Sequence, residues 1–169
     1  AGFIGSILVR QVLDLGWRVR VVDNLTYSRR PIEEFIDDQR YEFVNADICD
    51  LNVQVDVIDS IDFVVFLAEI VGDPSCDYVP EKAFKTNYLS VSSMATVCAH
   101  MQISRFVYTS SCSVYGASND VNHVLTETSK LYPVSHYARM KIASEEALFN
   151  RKNDLFSPTI LRLATVFGV

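Results

Sequence analysis

Tyr137 and Lys141 stand four residues apart in the run Tyr137-Ala138-Arg139-Met140-Lys141. On a helix that spacing puts a phenol and an ammonium on one face, one turn apart. A phenol with its usual pKa of about 10 is a poor base at neutral pH. A neighbouring cation favours the phenolate and lowers that value. The tuned phenol can then take or return a proton as a hydride moves. The same spacing also describes an ordinary exposed helix pair, so the reading needs company. It has some upstream, in Tyr108-Thr109-Ser110-Ser111-Cys112-Ser113-Val114-Tyr115-Gly116, which begins as a buried strand and runs into a hydroxyl-rich loop. Loops at the carboxyl ends of parallel strands are where ligands bind in such sheets. A hydroxyl there could hold a reacting alcohol against the phenol, whereas Ser110 and Ser113 equally suit strand-end capping.

A second group of residues suits phosphate and ribose. Gly2-Phe3-Ile4-Gly5 opens a helix. Glycine there lets the backbone approach a pyrophosphate, and the helix amino end offers unpaired N–H groups and a partial positive charge. A tight turn with close helix packing explains the glycines as well. The strand Arg18–Val22 then ends in Asp23, about twenty residues beyond the glycines, where a carboxylate can accept both ribose hydroxyls and repel a 2′-phosphate. Glycine turn, helix, strand and terminal acid in succession favour NAD over a turn cap at Asp23. Arg29 and Arg30 keep NADP open. Asp47, in Asn45-Ala46-Asp47-Ile48, could reach an adenine amino group with Ile48 against the ring, or serve as a turn residue.

The elements that must hold these residues alternate. Strands are expected at Arg18–Val22, Tyr41–Asn45, Phe63–Leu67, Arg105–Ser110 and Thr159–Leu163. Several are near-continuous apolar runs, as when both sheet faces are covered. Helices are expected at Gly5–Leu15, Pro31–Asp38, Pro80–His100 and Val134–Arg151, with Gly16 stopping the first. Alternation implies right-handed crossovers and an α/β, Rossmann-like doubly wound parallel sheet. Trp17 and the many Phe and Val residues read as core, and His136 as a surface residue.

With 169 residues the chain has room for one domain, here residues 1–169. Apolar residues make up 49%, which argues against whole-chain disorder. Fifteen basic against twenty-one acidic side chains, a formal charge of −6, disfavour a nucleic-acid surface. There is no apolar run of about eighteen residues and no charged-then-apolar leader, so no membrane partner is expected. Cys49, Cys76, Cys98 and Cys112, like His100, His123 and His136, are scattered. That disfavours a metal site or a disulfide scaffold and makes a reducing cytoplasm the expected location. The opening Ala1-Gly2-Phe3 has no initiator methionine and no strand before it, so a fragment is expected.

Taken together, the chain resembles the extended short-chain dehydrogenase/reductase family, in its NAD-dependent nucleotide-sugar epimerase/dehydratase branch. The resemblance runs in order through Gly2-Phe3-Ile4-Gly5, Val21-Val22-Asp23-Asn24-Leu25, Asp47-Ile48, Phe66-Leu67-Ala68, Asn87, Ser110 to Gly116, Tyr137-x-x-x-Lys141 and Leu161-Arg162-x-x-x-Val166-Phe167-Gly168. It implies that Tyr137 is the acid/base, Lys141 tunes it and holds the nicotinamide ribose, and Ser111 orients the substrate hydroxyl. Phe3 and Ile4 would lie along the pyrophosphate, Asp23 and Asn24 at the adenosine ribose, and Asp47 and Ile48 beside adenine. Leu67, Ala68 and Glu69 would line the cofactor, and Asn87 would reach it. The implied first step oxidises a sugar hydroxyl, usually at C4, to a keto intermediate. A homodimer through Pro80–His100 and Val134–Arg151 is implied as well.

Departures from the family pattern narrow the function. Dehydratases of this branch carry an acid just after the catalytic hydroxyl; here Cys112 and Ser113 stand there, which favours epimerisation of a nucleotide sugar. Thr165 replaces the Asn that often holds the diphosphate. A dehydrogenase, reductase or dehydratase of the same family is the alternative, and a non-catalytic dinucleotide-binding protein is a third. By that resemblance, the family's first strand, its first glycine and the substrate lobe that would follow Gly168-Val169 are expected to lie outside these residues. The sheet is therefore expected to lack its first strand, leaving apolar side chains uncovered and these residues alone unstable or inactive.

Overall fold

Strands and helices alternate along the chain, and every strand pairing is parallel. The structure, a computed structural model, describes residues 1–117 and 124–168. His123 and Val169 lie outside the described residues. The chain divides into two compact units, Ala1–Asp59 and Ser60–Val169, and each is treated by itself.

The first unit runs α1 (Phe3–Asp14), β1 (Val19–Asp23), a 3₁₀ segment (Arg30–Phe35), β2 (Tyr41–Asn45) and α2 (Leu51–Val57). Helix α1 starts two residues before the expected Gly5, because Gly2 takes the extended N-cap conformation and its carbonyl accepts the Ser6 N–H at 2.9 Å. It ends where Gly16 adopts a φ of 83°, a left-handed value that glycine takes without strain. Val9 and Leu13, one turn apart, pack with Ile32 and Phe35, and Val19, Val21, Tyr41 and Phe43 close round them. The segment expected as an α-helix over Pro31–Asp38 is 3₁₀ instead. Its buried pair is spaced by three, which the 3₁₀ repeat places on one face.

In the two-stranded sheet Val19 lies opposite Tyr41 and Asp23 opposite Asn45. Arg20 pairs with Glu42 at 2.8 Å and donates to the carbonyls of Val57 and Asp59, tying the end of α2 to β1. Helix α2 has no strong apolar period; Asp50 starts it by accepting the Asn52 N–H. Trp17 departs from its expected core position and is 55% exposed. It belongs to the turn that joins α1 to β1, ahead of the first paired residue of the strand.

The second unit contains β3 (Phe63–Phe66), α3 (Asp73–Tyr78), α4 (Pro80–Phe84), a π-helical turn (Lys85–Leu89), α5 (Ser90–His100) and β4 (Arg105–Ser111). A 3₁₀ turn (Cys112–Tyr115), α6 (His136–Phe149) and β5 (Ser157–Leu163) follow. The strand order is β3-β4-β5. Phe66 stacks on Phe106 with ring centres 6.1 Å apart, and Phe106 meets Phe156 edge-on at 6.0 Å. Along β4, Phe106, Tyr108 and Ser110 are buried while their neighbours are not, the period of two that a strand requires. β3 is an edge strand and leaves Phe63 and Val65 exposed.

The expected helix Pro80–His100 is continuous but not uniform. One π turn widens it between α4 and α5, a device frequent where a helix serves a site. Among the described residues no helix is long and apolar enough to cross a membrane, and no cluster of His, Cys, Asp and Glu could hold a metal ion.

Candidate functional site

Helix α6 presents Tyr137, Lys141 and Glu145 on one buried face, each one turn from the next. Ser135 caps the helix by accepting the Ala138 N–H at 3.1 Å, which fixes where the first turn begins. Tyr137 packs among Cys76, Ala83, Ile70 and Met140. Its neighbour His136 is exposed, with Nδ1 3.5 Å from Asp77.

The Lys141 ammonium is withdrawn from water. It lies 2.6 Å from the Glu69 carboxylate, close to both oxygens, although Oε2 alone accepts with hydrogen-bond geometry. It donates as well to the Thr109 carbonyl. The same nitrogen sits 4.7 Å from the centre of the Tyr108 ring and 5.5 Å from that of Tyr137, a cation–π range. Ser111 ends β4 and caps the following 3₁₀ turn, its Oγ accepting from the Ser113 N–H at 3.2 Å and the Ser113 hydroxyl at 2.9 Å.

These charges set the proton affinities. Burial pushes the Tyr137 phenol up, the Glu69 carboxylate pushes it further, and a hydrogen bond with Ser111 pulls it back. Burial also raises Glu69 and lowers Lys141, while each partner's charge opposes that shift. The phenol is thus held above its usual value rather than below it. The ammonium is on the same face of α6 and 5.5 Å from the ring centre, and the Glu69 carboxylate lies against it.

Asn87 was expected at a cofactor. Its side chain is buried in the π turn, and both ends of its amide are engaged by Ile70: Oδ1 accepts the Ile70 N–H at 2.9 Å, and Nδ2 donates to the Ile70 carbonyl at 2.8 Å. It thereby holds the segment that carries Leu67, Ala68 and Glu69 out of the end of β3. The π turn supplies the reason: it turns a mid-helix amide inward, toward backbone groups left without strand partners.

A second buried ion pair was not foreseen. Arg162 on β5 grips Glu145 on α6, Nη2 to Oε2 at 2.6 Å and Nε to Oε1 at 3.0 Å. Ser110 donates to Glu145 Oε1 at 2.5 Å, while Arg162 Nη1 reaches the Tyr115 hydroxyl and the Glu127 carbonyl, each at 3.0 Å. The fork ties β4, β5, α6 and the turn after Ser111 together. The signal was present in the spacing of Tyr137, Lys141 and Glu145, and in an arginine inside an apolar strand.

In the first unit, α1 has no side-chain cap, and a Cβ built on Gly2 would meet nothing within 4 Å. Its amino end is open to an anion, with Phe3 and Ile4 exposed beside it and Gly5 in its first turn. Asp23 closes β1, its Oδ1 accepting the Leu25 N–H at 2.7 Å. Asn24 Nδ2 donates to Asp47 Oδ2 at 3.4 Å. Ile48 follows, its carbonyl accepting from Gln54 at 2.7 Å. In the first unit Asp23 and Asp47 stand at or just beyond the carboxyl ends of parallel strands, and in the second unit, taken by itself, so do Leu67 and Ser111; such strand ends are where parallel sheets bind ligands. An open helix amino end and an acid closing the first strand fit the pyrophosphate and ribose of NAD.

Known proteins agree with that chemistry. The NAD dependent epimerase/dehydratase family matches residues 1–169, and the chain belongs to that family. A dTDP-glucose 4,6-dehydratase from Streptomyces niveus is 32% identical over 154 residues, 86% of this chain and 45% of that protein. The UDP-Glc/GlcNAc 4-epimerase of Campylobacter jejuni superposes with a TM-score of 0.88 at 28% identity, over 95% of this chain and 50% of that one. A UDP-glucuronic acid 4-epimerase from Bacillus cereus, solved in complex with NAD, gives a TM-score of 0.85 at 26% identity, over 99% of this chain and 55% of that one. The chain therefore spans about half the length of the relatives it matches. The enzymes it resembles include epimerases, dehydratases and a UDP-glucuronic acid decarboxylase.

Proposed function

We propose that this chain supplies the NAD-binding and proton-transfer portion of a nucleotide-sugar epimerase that oxidises a sugar hydroxyl, at C4, and returns the hydride to the other face. The observation that carries the reading is a buried phenol one helical turn from a buried ammonium, with the Ser111 hydroxyl among the groups that lower the proton affinity of that phenol. Tyr137 would take the hydroxyl proton and later give it back. Ser111 would hold the sugar oxygen, and Lys141 would stabilise the phenolate. Bound NAD supplies the hydride acceptor and donor. Gly2, Phe3, Ile4 and Gly5 would hold its pyrophosphate, Asp23 and Asn24 its ribose, and Asp47 and Ile48 its adenine. Leu67, Ala68, Glu69 and Asn87 would line or brace the nicotinamide side.

Cys112 and Ser113 favour epimerisation over dehydration. Loss of water from a keto sugar needs a general acid/base, and neither side chain offers a suitable one near neutral pH. The four cysteines are free thiols, in keeping with a cytoplasmic protein. A homodimer would use the stretches Pro80–His100 and Val134–Arg151.

A nucleotide sugar deuterated at C4 tests the reaction in the whole protein that carries this chain. Epimerisation through a keto intermediate retains the label at the inverted carbon, without exchange into water. Accumulation of a dehydrated 4-keto product, or consumption of NAD in amounts equal to product, would replace the reading with the dehydratase or dehydrogenase alternative.

A further inference from the structure

We propose that Glu69 is a positioning residue of the tyrosine–lysine pair: its carboxylate anchors the Lys141 ammonium beside Thr109 and, by compensating that charge, sets how readily Tyr137 releases its proton. The inference rests on Tyr137 being the proton-transfer group. Glu69 turns its carboxylate to Lys141 at 2.6 Å, with 9% of the side chain exposed. Its backbone is braced from the next residue, where Asn87 binds both the N–H and the carbonyl of Ile70. The ammonium is thereby fixed between the end of β3 and the carbonyl of Thr109 on β4.

Every element around the phenol brings groups that bear on its charge. The segment after β3 brings Glu69; α3 brings Asp73 and the Cys76 thiol; α6 brings Lys141 and Glu145; β4 brings Tyr108 and the Ser111 hydroxyl. Glu145 is already held by Arg162 and Ser110, so its charge is compensated elsewhere. Asp77, also on α3, faces the exposed His136. Glu69 is the carboxylate in direct contact with the lysine, and so decides whether Tyr137 faces a free cation or a neutral pair. An opposite charge within about 4–6 Å moves a pKa by roughly 1–3 units when it is not compensated.

The test uses the whole protein with NAD bound. Titration of Tyr137 is followed by ¹³C NMR of labelled tyrosine, assigned with Tyr137→Phe, and the pH profile of kcat is recorded in parallel. Glu69→Gln is expected to move both the NMR midpoint and the base limb of kcat down by about one pH unit or more. Glu69→Asp keeps the charge and is expected to leave both within a few tenths of a unit. An unmoved or raised midpoint in Glu69→Gln overturns the proposal. If that variant does not fold, Glu69→Asp decides, and a shift of a full unit in it overturns the proposal. The two readings fail separately. Turnover surviving in Tyr137→Phe removes the catalytic reading, whereas an unmoved NMR midpoint in Glu69→Gln removes only the role of Glu69.

Discussion

The ammonium of Lys141 lies 2.6 Å from the carboxylate of Glu69 and 5.5 Å from the centre of the Tyr137 ring. A buried charge without a partner is strongly disfavoured, and the cost of losing one member of such a pair runs to about 3–5 kcal/mol. Lys141→Met therefore is expected to destabilise the fold by about that amount, because Glu69 is left buried and uncompensated. Urea unfolding of the variant checks it; a loss below about 1 kcal/mol would mean that water reaches Glu69 freely.

The Arg162–Glu145 fork makes the complementary case. Glu145→Leu alone leaves a guanidinium without its carboxylate, and a loss of about 3–5 kcal/mol is expected. The double variant Glu145→Leu with Arg162→Met removes both charges and is expected to recover much of that loss. A double-mutant cycle measures the coupling. Strict additivity of the two single changes would contradict the contact.

Asn87 closes two hydrogen bonds on one backbone residue. Asn87→Ala is expected to lower stability by about 1–3 kcal/mol, the cost of leaving buried polar groups unpaired. Amide hydrogen exchange gives a local readout, since the Ile70 N–H should lose its protection ahead of the β4 amides. Equal protection in parent and variant would show that the loop holds itself.

All five strands, the position of α6 and the face shared by Tyr137 and Lys141 were legible in the sequence, because apolar runs and a spacing of four report directly on strand and helix geometry. The strand ends differ by at most two residues, β5 starting at Ser157 rather than Thr159. The 3₁₀ segment at Arg30–Phe35 and the π turn at Lys85–Leu89 were not, since each differs from an α-helix only in where one carbonyl bonds. Nor were α2 and α3, short helices started by Asp50 and Gly72 rather than by a long apolar period. At the site, residue types were readable but charge partners were not. Glu69 follows Phe63–Ala68 in sequence, yet meets Lys141 only because β3 and β4 run parallel.

Two thiols should be silent and two reactive. Burial pushes Cys76 up to about 11 and Cys98 up to about 12, whereas Cys49 and Cys112 are exposed. Alkylation at pH 8, mapped by peptide mass, is expected to label Cys49 and Cys112 first. The linkage has a definite sign. A thiol whose folded pKa is raised binds more protons folded than unfolded, so its contribution is full below the unfolded value and is lost as pH rises. Stability is therefore expected to decline from about pH 9 toward the folded values, with a weaker decline in Cys98→Ala. A flat response between those limits would show that the thiols are not desolvated.

The central claim is that the Tyr137 oxygen carries the proton as the sugar hydroxyl is oxidised, and Tyr137→Phe tests it most directly in the whole protein with NAD and a nucleotide sugar. The expected result is a fall in kcat of about 10²–10⁴-fold, with NAD still bound and the fold unchanged. Turnover within a few-fold of the parent would contradict it.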